Sequence, residues 1–258
     1  MDSPRGRIYL MKAALEGRTA LSASFVRHFD ACLGCMACVT ACPSGVQYGP
    51  LVERTMAQIE RHHRRSVADR VFRAALFGLV PYPPRLRIAL APLVPLGWVK
   101  SRFARTRIFD ALPARLRALL ALVPHVSLAS LFGRVPERTS PLGEPRMRVG
   151  LLAGCVQRLL FPHVNDATIN VLAAEGCEVV APRAQGCCGA LALHAGRLEE
   201  ARRFARRLID VFEQTGVDRI AVNAAGCGSS MKEYGELLAD DPAWAPRARR
   251  FSASVRDV

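Results

Sequence analysis

Residues 32–45 read CLGCMACVTACPSG and place four cysteines in a short segment that ends in a turn sequence. The gaps between these cysteines are two, two and three residues, and a proline follows the last; the four are Cys32, Cys35, Cys38 and Cys42. This spacing is typical of segments whose thiolates hold a [4Fe-4S] cluster. Structural zinc is disfavoured, because its ligands usually come from two short motifs far apart in sequence. The segment therefore predicts an iron–sulfur cluster.

The surrounding sequence predicts a small helical module over residues 1–65. Helical patterns cover residues 7–17, 22–33 and 48–65, and the cysteine segment lies between the last two. In two-cluster ferredoxins the last cysteine of such a run binds the other cluster, and a second run returns a ligand to the first. The chain has no second run, so we expect the module to be incomplete.

Residues 66–144 are apolar but are interrupted by prolines and arginines every few residues. No uninterrupted apolar run reaches the roughly 18–20 residues that a membrane-spanning helix needs. We expect a linker of short helices packed on neighbouring domains. The composition also fits a surface that rests on a membrane or on a membrane-bound partner, with arginines at the lipid headgroups. Both interpretations stay open at this point.

Residues 145–258 change to alternating strands and helices. Strands are expected at residues 148–153, 177–182 and 218–226, and helices at 161–176, at 197–216 and from Ser229 onward. This alternation is typical of a parallel sheet covered by helices. The predicted fold class is therefore α + α/β, with a helical ferredoxin-type module, a helical linker and an α/β domain.

A second set of cysteines follows the expected strands: Cys155, Cys187, Cys188 and Cys227. The carboxyl ends of parallel strands meet at one edge of a sheet, so we expect these thiols to come together there. Gly186 and Gly189 flank the adjacent pair and allow a turn that aims both side chains at one metal centre. Adjacent cysteines rarely form a disulfide with each other. A pair of idle buried thiols is the alternative.

The other candidate residues favour ordinary roles. Cys177 opens a strand and is expected to be structural, whereas His62 and His63 lie on a polar helix and are expected to be solvated. His194 lies close enough to the adjacent cysteines in sequence to hydrogen-bond a cluster, but a common core or surface histidine is favoured. The chain has no Ser–His–Asp order and no nucleotide-binding glycine fingerprint, so a nicotinamide or FAD site within it is not supported.

The charge and the cysteine content limit which classes of partner and which cell compartment are expected. The formal charge is +14, and all but three of the 36 basic residues are arginines spread along the chain. Without a recognisable binding motif, this distribution disfavours nucleic acid and favours an acidic partner or anionic lipid headgroups. The polar first residues do not form a secretory signal, and cysteines in a reducing cytosol are more often metal ligands than disulfides. We expect a cytoplasmic chain that can lie on the inner face of the membrane.

The motifs resemble those of the iron–sulfur subunits of bacterial glycolate oxidase (glycolate dehydrogenase). These subunits belong to a wider family with cysteine-rich CCG domains, shared with heterodisulfide reductases and lactate-utilisation proteins. The resemblance is carried by DSPRGRIYLMKAALEG, CLGCMACVTACPSGVQYGPLVE, GLLAGCVQ, GCCGALALHAG and NAAGCGSSMKEYGELL. It implies that the first four cysteines bind ferredoxin-type [4Fe-4S] clusters and that the second four form the first of two CCG repeats.

Three differences from the family bear on this expectation. Family members carry another cysteine run before DSPRGRI and a second CCG repeat after the present last residue, so the chain looks truncated at both ends. The fuller CCG motif ends in Cys-x-x-Cys, whereas the chain has CGSS with Ser230 in the last position. The glycolate-oxidase branch is similar in having serine there. We therefore expect a cluster at this site to be labile, differently ligated or absent.

The resemblance implies an electron-transfer subunit of an oxidoreductase. A partner subunit that contains FAD would oxidise glycolate or a related 2-hydroxy acid, and electrons would pass through the iron–sulfur subunit towards a membrane quinone. One alternative is a heterodisulfide-reductase-like subunit in which the CCG site itself reduces a disulfide. Another is a truncated product that holds no complete cluster.

Overall fold

The computed structural model describes residues 1–92, 94, 118 and 131–258. The chain forms two compact units, which we call the helical unit (Met1–Ala74 with Gly189–Arg203) and the sheet unit (Ala75–Cys188 with Phe204–Val258). Each unit is therefore built from two separate stretches of chain. The second stretch of the helical unit lies inside the predicted α/β domain, and the predicted boundaries after residues 65 and 144 stay predictions.

The described helices and strands follow one another in a simple order. They are α1 Pro4–Leu15, α2 Ala23–Asp30, α3 Ala37–Thr40, α4 Tyr48–His62, α5 Val67–Leu79, α6 Pro83–Leu90, β1 Arg138–Thr139, β2 Met147–Leu152, α7 Gln157–Leu160, α8 Pro162–Ala174, β3 Cys177–Val180, α9 Ala190–His194, α10 Leu198–Glu213, β4 Arg219–Val222, α11 Ala225–Lys232, α12 Tyr234–Leu237, α13 Ala245–Ser254 and β5 Val255–Asp257. A 3₁₀ turn at Arg183–Gln185 separates β3 from α9. The three helices predicted for the N-terminal module are α1, α2 and α4.

Local signals explain where the first helices begin. The Ser3 hydroxyl accepts a hydrogen bond from the Gly6 amide at 3.1 Å, and the Ser22 hydroxyl accepts one from the Phe25 amide at 3.3 Å. Serine is a preferred N-cap because it satisfies an amide that has no partner within the helix. Together α1, α2 and α4 enclose an apolar core made of Met11, Phe25, Val26, Phe29, Tyr48, Val52, Met56 and Ile59.

The short helix α9 completes the helical unit by packing against α4. Gly196 follows it with φ +79°, and a Cβ atom added there would lie 2.3 Å from the Met56 carbonyl oxygen. Only glycine combines this backbone conformation with so close an approach. The stretch that follows the adjacent cysteines is therefore held tightly against α4.

The sheet unit contains five strands in the order β1-β3-β2-β4-β5. Strands β2 to β5 pair in parallel, and β1 is antiparallel to β3. Val149 of β2 lies opposite Val179 of β3, and Leu151 lies opposite Ala221 of β4. The three predicted parallel strands are confirmed as β2, β3 and β4. The edge strands β1 and β5 were not predicted, because their two and three residues are too few to show a pattern.

Helices cover both faces of this sheet. Ile169 of α8 packs with Val149 and Leu151 on one face. On the other face α10 brings Phe212 so close that a Cβ atom on Gly150 would lie 2.7 Å from the Phe212 ring. The side chains of successive strand residues point to opposite faces of the sheet. Gly150 and its two neighbours therefore pack against different helices.

The prediction that a final helix starts at Ser229 is wrong. Helix α11 starts at Ala225, because the amides of Cys227 and Gly228 already donate to the Ala224 carbonyl at 2.9 and 3.0 Å. Cys227 therefore lies in the first turn of a helix and not in a loop.

Two short helices of the predicted linker, α5 and α6, are described. The rest of the predicted linker that reaches from residue 93 to 130, apart from residues 94 and 118, lies outside the described residues. None of the helices within the described ranges has the length and apolar character needed to cross a membrane.

Candidate metal centres

The first four cysteines lie between α2 and α4 of the helical unit. The backbone is left-handed at Gly34 (φ +64°) and at Met36 (φ +54°), on either side of Cys35. A positive φ is uncommon for methionine and marks a tightly constrained turn. Cys35 is exposed at this turn, while the other three thiols are half-buried.

Backbone amides surround the last of these thiols. The amides of Val46, Ser44 and Gly45 donate to Cys42 and hold the pKa of its thiol below the usual value. Hydrogen bonds to a charged group favour that charged form. The thiolate is the form that binds metal, so this turn prepares Cys42 as a ligand.

Tyr48 is a neighbour of the first centre that the sequence did not single out. Its hydroxyl lies 3.8 Å from Cys32 Sγ, and burial, followed by this hydrogen bond, raises the pKa of Tyr48 above its ordinary value. Cys32 and Cys38 also pack on the apolar core of the helical unit. The sequence shows only that a tyrosine follows CPSG after a few residues, and this alone does not predict a contact with a cysteine.

His194 of α9 also lies beside the first centre. A Cβ atom added to Gly34 would be 3.4 Å from the His194 ring, and His194 Nδ1 is 3.6 Å from Glu53 Oε1. Cys32 and His194 line the same small cavity. The sequence favoured an ordinary role for this histidine; the structure places it against the cysteine loop of the helical unit.

The second four cysteines follow the carboxyl ends of the parallel strands, and two of them, Cys155 and Cys187, are in contact. That all four hold one group stays a prediction. A hydrogen bond between the thiols of Cys155 and Cys187, together with burial, raises the pKa of Cys155. Burial raises the pKa of Tyr234 as well, and the charges that act on its phenol are those of three thiols: Cys188, Cys187 and Cys227. Tyr234 therefore lies close to these three thiols, and its hydroxyl donates to the Cys188 carbonyl.

Gln185 holds the loop that carries the adjacent cysteines. Its side chain is 1% exposed; its amide nitrogen donates to the carbonyls of Pro182 at 2.9 Å and Leu151 at 3.3 Å. Its amide oxygen accepts from the Ala153 amide at 2.8 Å. These bonds tie the end of β2 to the turn before Cys187. The sequence did not identify Gln185, although its place directly before Gly-Cys-Cys was a visible signal.

A second polar network connects the ends of β2 and β4. Asn165 of α8 is fully buried and donates to the Ala153 carbonyl at 3.0 Å. Asn223, which follows β4, donates to Asn165 Oδ1 at 3.0 Å and to Thr168 Oγ1 at 2.9 Å. Buried amides need such partners. The network fixes the chain where it leaves β2 and β4, shortly before Cys155 and Cys227.

Ser230 occupies the position of the missing last cysteine. It is 1% exposed, and among the described residues its hydroxyl has no hydrogen-bond partner. Cys227 is one helical turn earlier on α11, so both residues lie on one side of that helix. A buried hydroxyl without a partner is costly, and within the described residues the Ser230 hydroxyl is left available to a bound group.

The donor types of the two sets suit thiolate-bound iron. Within the described residues, no three side chains with metal-binding atoms are close enough to hold one ion. Thiolate donors, the amides at Cys42 and the unpartnered Ser230 hydroxyl all fit thiolate-bound iron. Cys177 belongs to neither set, because it is buried in the sheet core. The assignment of the eight other cysteines as ligands stays a prediction.

Two family models match the chain. Residues 25–48 match a 4Fe-4S binding domain, and this span includes the first four cysteines. Residues 149–232 match the cysteine-rich domain CCG, which includes the second four cysteines and Ser230. No solved structure gives a significant match.

Curated relatives match along the whole chain. A probable glycolate oxidase iron-sulfur subunit of Bacillus subtilis is 36% identical over 258 residues, which are 99% of the chain and 58% of that protein. The glycolate oxidase iron-sulfur subunit of Escherichia coli is 33% identical over 261 residues, covering 100% of the chain and 58% of that protein. Lactate utilization protein A of Exiguobacterium is 39% identical over 110 residues, covering 43% of the chain and 45% of that protein.

The chain thus spans about three fifths (58%) of the length of the first two of these relatives. The match to the 4Fe-4S binding domain lies within the helical unit, and the match to the cysteine-rich domain includes residues of both units. The whole chain is similar in sequence to glycolate oxidase iron–sulfur subunits.

Proposed function

We propose that the chain is the electron-transfer part of a complex that oxidises glycolate or a related 2-hydroxy acid. The observation that carries this proposal is the cysteine loop of the helical unit, where a left-handed turn exposes Cys35 and amides prepare Cys42. The similarity of the whole chain to 58% of the length of two glycolate oxidase iron–sulfur subunits supports it. The proposed donor is an FAD-containing partner subunit, and the proposed acceptor is a membrane quinone.

The proposed cluster ligands of the helical unit are Cys32, Cys35, Cys38 and Cys42. When bound, an iron–sulfur cluster supplies one-electron redox chemistry. The chain's own contribution is to hold the thiolates, to place the Tyr48 hydroxyl 3.8 Å from Cys32 Sγ and to leave Cys35 at the surface. An exposed ligand brings a redox group within reach of a partner, whereas a deeply buried one would not. Acid–base catalysis by this chain is not part of the proposal.

The test is anaerobic reconstitution of the full chain with iron and sulfide. We expect cubane-type electron paramagnetic resonance after dithionite reduction, and loss of that signal together with about one cluster of iron in Cys35→Ser. Cys177→Ser is the matched control, because Cys177 is buried in the sheet core and is not a proposed ligand. Iron content near zero in the unaltered chain, or an unchanged signal in Cys35→Ser, would contradict the proposal.

A second function is favoured by one observation, the direct contact between the thiols of Cys155 and Cys187. We propose as the alternative a thiol–disulfide activity, in which two electrons and two protons convert an external disulfide into two thiols. Reconstituted, reduced protein would then release thiols from a small disulfide, and Cys187→Ser would abolish the release. Electron transfer to a quinone analogue without any thiol release would favour the first function.

We also propose a cytoplasmic location with contact to the inner face of the membrane. The net charge of +14 and the nine cysteines, all free of disulfides, support this location. Sedimentation with vesicles that contain anionic lipid, and not with neutral vesicles, is the expected result. Equal sedimentation with both kinds of vesicle, or with neither, would contradict the membrane contact.

A further inference from the structure

A guanidinium group lies beside the thiols of the second centre. Arg158 belongs to α7, three residues after Cys155, and its Nε donates to the Gly154 carbonyl at 2.6 Å. The charges of Cys155 and Cys187 act on this guanidinium. Its Nη2 atom is buried and has no hydrogen-bond partner among the described residues. Arg158 is therefore anchored at one nitrogen, and near the thiols another of its nitrogens has no acceptor in the described part of the chain.

A second arginine is close by. Arg87 of α6 adds a like charge that acts on Arg158, and its own buried Nε has no partner within the described part of the chain. The two helices meet through a cluster of leucines, which are Leu86, Leu90, Leu131 and Leu159. Two guanidinium groups thus share an apolar surrounding at this edge of the sheet unit.

This arrangement is unfavourable as long as the thiols are neutral. Two like charges repel, and a buried cation without an anionic partner carries a large desolvation cost. Burial accordingly lowers the pKa of Arg158, and no carboxylate of the described residues is among the charges that act on it. An anion at the thiols would remove the imbalance, because charge-assisted hydrogen bonds are strong in such surroundings.

We propose that Arg158, supported by Arg87, is a positioning residue whose positive charge balances an anionic, thiolate-bound iron–sulfur group at Cys155, Cys187, Cys188 and Cys227. The inference rests on the proposed function, in that this site must hold such a group. Reduction adds negative charge to the group, so a neighbouring cation stabilises the reduced form more than the oxidised form. Arg158 therefore raises the reduction potential of the second centre and helps to retain its iron.

The test compares Arg158→Gln and Arg158→Lys with the unaltered full chain after anaerobic reconstitution. The matched control is Arg146→Gln, since Arg146 lies in the same unit with its side chain 68% exposed. The redox signal of the second centre is identified as the one that Cys188→Ser removes. We expect Arg158→Gln to lower its midpoint potential by about 59 mV, which is a tenfold change in the ratio of reduced to oxidised centres for one electron.

The lysine variant keeps the charge but loses the planar fork, so its potential should lie between those of the unaltered chain and Arg158→Gln. In the metal-free protein, Arg158→Gln should leave the denaturation midpoint unchanged or raise it, because an uncompensated charge is removed. A residue that only supports the fold would lower that midpoint in both the metal-free and the loaded state.

Two results would overturn the inference, and they are distinguishable. If Cys188→Ser removes a signal but Arg158→Gln keeps the potential and the iron content of the unaltered chain, Arg158 has no such role. If Cys188→Ser changes neither iron content nor spectrum, the second centre does not exist, and the proposed ligands of that site are wrong together with the inference.

Discussion

Single residues at the two centres show how closely the chain is fitted around its thiols. Gly196, Ser230 and Gln185 are all buried or crowded, and each is adapted to one neighbour rather than to a general apolar surrounding. Their substitution therefore has consequences that differ in size and even in sign. Residues of the same type elsewhere in the chain provide the controls.

Gly196→Ala should destabilise the metal-free protein strongly. The substitution combines φ +79° with a Cβ atom 2.3 Å from the Met56 carbonyl oxygen, so we expect a loss of at least about 2 kcal/mol of unfolding free energy. Gly17→Ala is the control, because Gly17 has φ +70° but open space around its Cβ position. It should cost only about 1 kcal/mol. Chemical denaturation checks both values, and equal losses would contradict the steric argument.

Ser230→Ala should have the opposite sign. It removes a buried hydroxyl that has no partner among the described residues, so the metal-free protein should be unchanged or more stable by up to about 1 kcal/mol. Ser22→Ala removes an N-cap hydrogen bond instead and should cost about 1 kcal/mol. A clear loss of stability in metal-free Ser230→Ala would mean that the hydroxyl is satisfied within the folded chain.

Some of the residues around the two sets of cysteines could be identified from the sequence, and others could not. Both sets of cysteines were proposed as ligands from their spacing and from their place after strands, because the gaps between thiolate ligands are specific; that role stays a prediction. Gln185, Asn165 and Asn223 were missed, since a buried amide looks like any surface amide until its partners are known. Arg158 was hidden among the other arginines for the same reason.

At the level of helices and strands, the positions at which β2 and β4 end determine where the thiols of the second set lie. The strands β2 and β4 end where the networks of Gln185 and Asn223 begin, and the thiols follow directly after these ends. The amide networks therefore determine where the cysteines point. A change in one network should disturb the second centre without touching any thiol.

Gln185→Glu tests this link. The new carboxylate would face the carbonyls of Leu151 and Pro182, which now accept from the Gln185 amide, so we expect a loss of about 2 kcal/mol or more at neutral pH. Burial raises the pKa of a carboxyl group. The protonated form can donate again, so the deficit relative to the unaltered chain should shrink as the pH falls. Denaturation curves at two pH values measure the effect.

The control for this prediction is Gln58→Glu on α4, where the side chain is exposed. It should change stability by less than about 0.5 kcal/mol at either pH. A deficit of Gln185→Glu that does not depend on pH would show that lost packing, and not the buried charge, causes it.

The sequence predicted long, periodic elements well and short ones poorly. Helices α1, α2, α4, α8 and α10 and the central strands have enough residues to show a period of 3.6 or 2. The edge strands and the start of α11 were missed because each depends on a few backbone hydrogen bonds. The segment Ala-Ala-Gly after Asn223 has no β-branched residue, and in hindsight this favours a helix start over a continued strand.

At the scale of the whole molecule, the two centres belong to different compact units. Loss of the group in one unit should therefore loosen that unit first. In hydrogen exchange, Cys35→Ser should reduce the protection of α2 and α4 after reconstitution, whereas the amides of β2 and β4 should keep their protection. Loss of protection across both units would show that they unfold as one.

The path of the chain through the helical unit also has a consequence for inheritance. The helical unit is built from two separate stretches of the chain, Met1–Ala74 and Gly189–Arg203. The second stretch begins directly after the adjacent cysteines. The two compact units are therefore interleaved along the chain, and the gene segments that encode them cannot be exchanged as consecutive blocks. Recombination between related genes at a point between the two cysteine sets would separate α4 from the glycine that fits against it. Natural variation should preserve Gly196 and its α4 neighbours together, even where the segment between them diverges.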